Sequence, residues 1–191
     1  MICLRLNLSS KTFVFDTDCL FTFFYVKCEN VLLNLLNKIV IPLQVYKEIS
    51  RMGFKDKIDY LINKQKATRY VFDISSEEAF LYLEMTNETE MEKIKVIGFG
   101  EAACIAYAKV NNAILCSNNL KDITFYIDKY KLKYLTTADI FCMLRDNKLM
   151  DDLEIEKCWA KMKSKVFLPN ETFYDYYNEN KDLYIIRLFN I

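Results

Sequence analysis

Short runs of apolar, often β-branched residues alternate with longer segments of helical periodicity along most of this chain. Such short runs are typical of strands that are buried on both faces of a parallel sheet. Because strands and helices alternate, we predict an α/β fold, with right-handed crossovers and helices on both faces of a parallel sheet. The predicted strands are residues 12–15, 39–41, 69–72, 113–116 and 134–135.

The segments between these strands predict helices. Residues 19–36 carry apolar side chains at helical spacing and are predicted to form one helix. Pro42 suits the first turn of the helix that follows the second strand. Serines 75 and 76, followed by two glutamates, are a helix-start signal. Further helices are predicted at residues 55–66, 101–108, 120–130 and 138–145.

The two ends of the chain depart from this alternation. Leucine and isoleucine occupy every second position of residues 2–8, which predicts a strand, and the apolar run at residues 183–189 predicts another. We expect these two strands to pair as an extra ribbon. Residues 151–165 and the tyrosine-rich segment after Pro169 predict helices.

We therefore divide the chain into one domain with an appendage. Residues 1–150 are expected to form the domain, with the N-terminal strand and a charged helical insert at about residues 55–95. Residues 151–191 are expected to form a C-terminal extension of helices and a strand, packed on the same domain.

The composition excludes several classes of enzyme. The chain has no histidine, which excludes Ser-His-Asp triads, Cys-His dyads and histidine-based zinc sites. It has 3 Gly and 2 Pro, too few for a turn-dense β-sandwich, and no GxxxxGK phosphate-binding loop. The seven cysteines contain no CxxC pair, which favours a reducing compartment. No run of about 18 apolar residues occurs, so we expect a soluble cytoplasmic protein without a membrane span.

Acidic residues follow several of the predicted elements. Asp16 ends the first strand, Glu48 lies in the helix after the second, Glu101 opens a helix directly after Gly100, and Asp122 follows the fourth strand. The carboxyl ends of strands in an open parallel sheet meet at one edge, so we expect these acids to converge. Each acid alone is equally compatible with a helix cap or a solvated position.

Converging carboxylates repel one another, and a divalent cation relieves that repulsion. Ligation by oxygen atoms alone selects Mg²⁺ or Mn²⁺ over zinc. A water bound to such a metal has a lowered pKa and can attack a phosphodiester. Gly98 and Gly100 would let a ligand approach the backbone closely. The pattern therefore points to a metal-dependent nuclease site.

Four short segments, in this order, resemble the PIN-domain ribonucleases. In that family an apolar strand ends in Asp-Thr or Asp-Ser, a Pro-x-x-Val-x-x-Glu helix follows, a mid-chain acid opens a helix of small residues, and a Thr/Ser-x-Asn-x-x-Asp segment follows the fourth strand. Each segment is short, but the ordered set is more specific than any one of them. The matching segments are residues 13–20, 41–49, 98–103 and 115–122.

The resemblance implies a three-layer α/β/α fold with a five-stranded parallel sheet and an endoribonuclease that cleaves single-stranded RNA by a metal-activated water. The acids carried over by position are Asp16, Glu48, Glu101 and Asp122, of which Asp16, Glu101 and Asp122 would be ligands of Mg²⁺ or Mn²⁺. The polar residues expected beside them are Thr17, Asp18, Ser117 and Asn119.

The partners implied by the resemblance are single-stranded or structured RNA and, because many small PIN-domain proteins are toxins, an antitoxin; a homodimer is a further expectation. The net charge is zero, so RNA must be met by a local patch. Residues 51–70 hold six basic residues against two acids. Arg51, Lys55 and Lys57 are therefore candidate RNA contacts, although a solvated face explains them equally well.

Two other classes of function remain open at this stage. The Asp16-Thr17-Asp18 segment also resembles the nucleophile motif of haloacid dehalogenase-type phosphatases, with Asp16 as nucleophile and Asp18 as acid. That alternative leaves Glu48 and Glu101 without a role. The other alternative is a catalytically silent PIN-like binding module, which the intact set of four acids disfavours.

Overall fold

The computed structural model describes residues 8, 10–87, 96–166, 168 and 172–189. Five strands form one sheet in the order β3-β2-β1-β4-β5, and every neighbouring pair is parallel. The predicted five-stranded parallel sheet is therefore confirmed. The strands are β1 (Phe13–Phe15), β2 (Ile39–Pro42), β3 (Ala67–Tyr70), β4 (Ile114–Cys116) and β5 (Tyr134–Leu135).

The central strand β1 fixes the register of the sheet. Phe13 pairs with Ile39 on one side and with Ile114 on the other. All residues of β1, β2 and β4 are buried, which explains why these strands are continuous apolar runs rather than alternating ones. β3 lies two residues earlier than predicted, and it lies within the charged stretch 55–95.

Helices cover both faces of the sheet, giving the three-layer α/β/α arrangement that the resemblance implied. Helix α6 packs on β1, β2 and β4, and its row of small buried side chains permits this close approach. The helices are α1 (Thr17–Val26), α2 (Glu29–Leu35), α3 (Leu43–Ile49), α4 (Lys55–Asn63), α5 (Glu77–Thr86), α6 (Phe99–Asn111), α7 (Leu120–Tyr130), α8 (Thr137–Asp146), α9 (Asp152–Met162), α10 (Phe173–Asn180) and α11 (Leu183–Phe189).

Two helical segments differ from the predicted ones. Residues 19–36 form two helices rather than one, because Lys27 adopts a left-handed conformation (φ 64°) that ends α1. A π-helical turn, Ser50–Phe54, joins α3 to α4 and contains Gly53 at φ 87°, a conformation that glycine adopts without steric cost.

The strand predicted at residues 183–189 is wrong, because this segment is helix α11. Tyr184 and Leu188, four residues apart, are its buried residues, which is the helical period. The predicted ribbon between the two chain ends therefore lacks its C-terminal strand. Apart from Leu8, the strand predicted at residues 2–8 lies outside the described residues.

Aromatic packing joins helices α9 and α10 of the C-terminal extension to each other, and an ion pair joins α11 to the rest of the molecule. Trp159 of α9 is buried, with its ring 5.4 Å from that of Phe173 on α10. Arg187 of α11 lies 2.6 Å from Asp139 of α8. Among the described residues, no helix has the length and apolarity required to cross a membrane.

Candidate active site at the carboxyl edge of the sheet

Asp16 lies where β1 ends and α1 begins, and its backbone N–H donates to the carbonyl of Cys116 on the neighbouring strand β4. Its carboxylate accepts hydrogen bonds from the backbone N–H of Thr17 at 2.6 Å and from the hydroxyl of Ser117 at 2.8 Å. The residue is 2% exposed. Asp16 therefore caps α1 and also faces the loop after β4, as the alignment of parallel strand ends requires.

Glu48 reaches the same edge from α3. The hydroxyl of Thr17 donates a hydrogen bond to the Glu48 carboxylate. Because Thr17 is buried on the first turn of α1, this bond fixes Glu48 beside the start of α1. Because Thr17 directly follows Asp16 in the chain, this bond also connects Glu48 to Asp16.

Asn119 joins the remaining two acids. Its side-chain amide donates to Glu101 Oε1 at 3.0 Å and to Asp122 Oδ2 at 2.8 Å. Glu101 is on the first turn of α6 and Asp122 on the first turn of α7. One amide group thus holds two carboxylates that come from different helix starts. The backbone N–H of Asn119 in turn donates to the hydroxyl of Ser117 at 3.3 Å.

The two glycines at the start of α6 make room for these carboxylates. A Cβ atom at Gly100 would lie 2.9 Å from Glu48 Oε2 and 3.3 Å from the Thr17 hydroxyl. A Cβ atom at Gly98 would lie 2.1 Å from Glu101 Oε2. The close approach expected at these glycines is therefore made by the side chains of the protein's own acids.

Burial and like charge dominate the electrostatics of the cluster. Burial, followed by the negative charge of Glu101, raises the pKa of Asp16 to about 7, although the bonds from Ser117 and Thr17 oppose this change. Loss of hydration and the charge of Glu101 also raise the pKa of Asp18, which lies on the exposed side of α1. The fold thus holds carboxylates where ionisation is unfavourable, a feature that is frequent at functional sites.

The donor set is suited to a hard divalent cation, because carboxylate and amide oxygens are its preferred ligands and a cation would offset the repulsion that raises the pKa of Asp16. The side chains are nevertheless not assembled into a coordination sphere. Within the described residues, no group of three or more His, Cys, Asp or Glu side chains is arranged to hold a metal ion.

The three candidate RNA contacts lie in different environments. Arg51 is exposed on the π-helical turn. Lys55 forms an exposed ion pair with Asp59 at 2.5 Å. Lys57 is partly buried, and its ammonium donates to Glu29 at 2.6 Å and to the carbonyl of Phe24 at 2.9 Å. The contacts of Lys57 tie α4 to α1 and α2, so its charge is already engaged within the fold.

Two clefts lie beside the acidic cluster, and Asn118 and Asn119 border both of them. The first has a volume of about 520 Å³ and is bordered by Lys121, Tyr176 and Arg187 as well as the asparagines. The second has a volume of about 430 Å³ and is bordered by Asp18 and by Phe21, Met52, Lys165 and Val166. Both volumes lie in the range of small-molecule and cofactor sites.

Asn118 is a positioning residue that the sequence patterns did not single out. Its amide donates to the Thr137 hydroxyl at 2.9 Å and its carbonyl accepts from the Thr137 backbone N–H at 2.9 Å. These bonds anchor the loop after β4 to the start of α8. The only sequence signal is its place between Ser117 and Asn119, two residues already identified as candidates.

A family model, DUF3368, which is described as a PIN domain, matches residues 12–178. The match includes all four candidate acids and continues past residue 150 into the C-terminal extension. No curated protein and no solved structure matches the chain. The match supports the PIN-domain interpretation of the segment that contains Asp16 and Asp18 over the haloacid dehalogenase alternative.

Proposed function

This chain belongs to the PIN-domain family, whose members are generally nucleases, and we propose that it is a metal-dependent endoribonuclease that cleaves single-stranded RNA. The observation that carries the proposal is the convergence of four carboxylates at one sheet edge, joined through Thr17 and Asn119. A set of unrelated helix caps would not need these links between separate elements.

Asp16, Glu101 and Asp122 would hold a Mg²⁺ or Mn²⁺ ion. When bound, such an ion supplies a water of lowered pKa and neutralises charge on a phosphodiester. The residues of the chain position and polarise the groups around it. Ser117 keeps the Asp16 carboxylate aimed at the cluster, and Asn119 keeps Glu101 and Asp122 together.

Glu48 has a different role from these three acids in the proposal. The Thr17 hydroxyl orients its carboxylate, and the absence of a side chain at Gly100 leaves space for it. We assign Glu48 to orienting or deprotonating the attacking water, which requires a carboxylate held in a fixed position.

The surroundings of the acids support a nucleic-acid substrate. The cleft bordered by Asp18 offers one aromatic and one cationic side chain, Phe21 and Lys165. Aromatic rings stack on bases and cations attract phosphates, a combination typical of single-strand binding. We extend the proposal to a toxin controlled by an antitoxin, acting as a monomer or homodimer on single-stranded or structured RNA in the cytoplasm.

Cleavage of end-labelled single-stranded RNA tests the proposal. The wild type is incubated with Mg²⁺, Mn²⁺ or EDTA, alongside Asp16→Asn and a control, Asp152→Asn, which alters an exposed acid paired with Arg145. We expect metal-dependent cutting by the wild type and the control, and at least a hundredfold slower cutting by Asp16→Asn.

The contrary outcomes are also informative. Equal cutting by Asp16→Asn would place the chemistry elsewhere. Folded wild-type protein that cuts no RNA with either metal, and has no thermal shift when metal is added, would contradict the nuclease proposal and favour the silent binding module.

A further inference from the structure

Two thiols from distant parts of the chain meet on the side of α1 away from Asp16. Cys28 lies at the junction between α1 and α2, and Cys158 lies on α9 in the C-terminal extension. Their Sγ atoms are 3.2 Å apart, although 130 positions separate the residues in sequence. This contact adds to the packing between α1 and α9.

Cys158 differs from the other described cysteines, its partner Cys28 included, in accessibility. Cys19, Cys104, Cys116 and Cys142 are buried, and burial raises the pKa of each of these thiols. Cys158 is instead only partly buried. Inert buried thiols and a partly exposed thiol with a neighbouring thiol are expected to react very differently.

The immediate environment favours a thiolate at Cys158. The hydrogen bond between the two thiols lowers the pKa of Cys158, and the positive charge of Lys161 acts in the same direction against the effect of burial. The same hydrogen bond, followed by burial, raises the pKa of Cys28. Cys158 is therefore the attacking sulfur of the pair, and Cys28 the one positioned to resolve a mixed disulfide.

We propose that Cys28 and Cys158 are a reversible oxidation site, at which a small-molecule disulfide converts the two thiols into a bond between the α1–α2 junction and α9. The site is separate from the acidic cluster and does not depend on the proposed nuclease activity.

The chemistry balances with one oxidant molecule of the disulfide class. The Cys158 thiolate attacks one sulfur of the oxidant, which forms a mixed disulfide and releases the first small thiolate. The Cys28 sulfur then attacks Cys158 Sγ, which forms the protein disulfide and releases the second small thiolate. The protons of the two cysteines pass to the two released thiolates, so the protein loses two electrons and the oxidant gains them.

The geometry requires only a small adjustment. A disulfide has its sulfur atoms about 2.0 Å apart, so the observed separation must shorten by about 1 Å. Such a bond closes a loop of roughly 130 residues, and long loops give the largest stabilisation in the chain-entropy model. The oxidised full-length protein is therefore expected to melt several degrees above the reduced protein.

Treatment of the full chain with oxidised glutathione, followed by intact-mass analysis and peptide mapping without reductant, tests this inference. We expect loss of two hydrogen atoms, a cross-linked peptide pair containing Cys28 and Cys158, and reversal by dithiothreitol. Cys158→Ser is expected to abolish the cross-link, and the control Cys142→Ala is expected to retain it.

Several results would overturn the inference. They are a glutathione adduct that persists on Cys158 without a cross-link, an unreacted wild-type protein, and a cross-link between other cysteines. An unchanged melting temperature in the mapped, oxidised wild type would contradict the predicted constraint. The mapping of the wild type decides the question even when a variant fails to fold.

Discussion

Two buried aspartates, Asp139 and Asp16, differ in the groups that surround their carboxylates. Asp139 of α8 is 1% exposed, and it lies 2.6 Å from Arg187 while completing a capping box with Thr136. Asp16 is 2% exposed, and the groups that hydrogen-bond to it are the neutral hydroxyl of Ser117 and backbone N–H of Thr17. The negative charge of Glu101 adds to the cost of ionising Asp16.

This difference separates an acid that holds the molecule together from acids that we propose to be catalytic. Arg187 compensates Asp139 with a full positive charge, and the pair joins α11 to α8. The cluster around Asp16 is oriented by hydrogen bonds but retains repulsion between carboxylates. Such residual repulsion is a cost to stability that a bound cation can remove.

The largest effect is expected when the compensated acid loses its partner. Arg187→Met should lower the free energy of unfolding by about 3–5 kcal/mol, because it leaves a buried carboxylate without its cation. Chemical denaturation at neutral pH measures the change. A loss below about 1 kcal/mol would mean that Asp139 does not depend on this ion pair.

The same substitution at the two aspartates should have opposite effects. In EDTA at pH 8, Asp16→Asn should raise the free energy of unfolding by about 4 kcal/mol, since it removes a charge whose ionisation the fold disfavours. Asp139→Asn, the matched control, should lower it, because Arg187 then lacks its counter-charge. Destabilisation by both substitutions would remove the distinction between the two acids.

The pH dependence of the Asp16 effect follows from the direction of its pKa. Its folded pKa of about 7 lies above the ordinary 3.8, so the folded state binds the proton more tightly than the unfolded state. The wild type therefore loses stability as pH rises from about 4 to 7, and the loss persists above that range. The difference between wild type and Asp16→Asn should be near zero at pH 4 and should reach a plateau above pH 7. Urea melts at several pH values check this trend.

A smaller effect on stability is expected at Gly100, where the candidate site depends on the absence of a side chain. Gly100→Ala places a methyl group 2.9 Å from Glu48 Oε2, so we expect RNA cleavage to fall about tenfold as Glu48 is displaced. The helical gain from alanine, about 1 kcal/mol, should offset the crowding in the unfolding free energy. In the control Gly53→Ala, the free energy of unfolding should fall by about 1 kcal/mol, because Gly53 has φ 87°. RNA cleavage by this control should be unchanged, because the space around Gly53 is open.

The smallest effect is expected at an exposed ion pair. Arg145 lies 2.6 Å from Asp152, at a distance equal to that of the Arg187 pair. Arg145→Gln should nevertheless cost less than about 1 kcal/mol, because the Asp152 side chain is 60% exposed to water and does not depend on Arg145 for its solvation. Denaturation beside Arg187→Met shows whether burial, rather than distance, separates the two pairs.

The sheet and the convergence of the four acids were predictable because both depend on strand ends. Short apolar runs marked the buried strands, and the acids that follow them converge once the strands are parallel. The break at Lys27 was not predictable, since the apolar pattern continues through a residue with no turn signal. Residues 183–189 were misread because isoleucine and aromatic side chains favour strands, while burial at positions four apart favours the helix that forms.

The hydrogen bonds and ion pairs in and around the candidate site could not be predicted from the spacing of residues in the sequence. The sharing of one Asn119 amide by Glu101 and Asp122 depends on the side-chain conformations of three residues. The pairing of Lys57 with Glu29 depends on how α4 packs against α2. Asp139 was not a candidate at all, because its partner lies 48 positions away on a segment interpreted as a strand.

Thermal unfolding of the wild type and Asp16→Asn at pH 8, with increasing Mn²⁺ or Mg²⁺, tests the central claim most directly. The claim is that the acids at the sheet edge form a cluster for a divalent cation, which would relieve the repulsion between Asp16 and Glu101. It predicts that metal raises the melting temperature of the wild type, while Asp16→Asn starts higher in EDTA and gains little. A wild type that metal does not stabilise, or a variant that gains as much as the wild type, would contradict the claim.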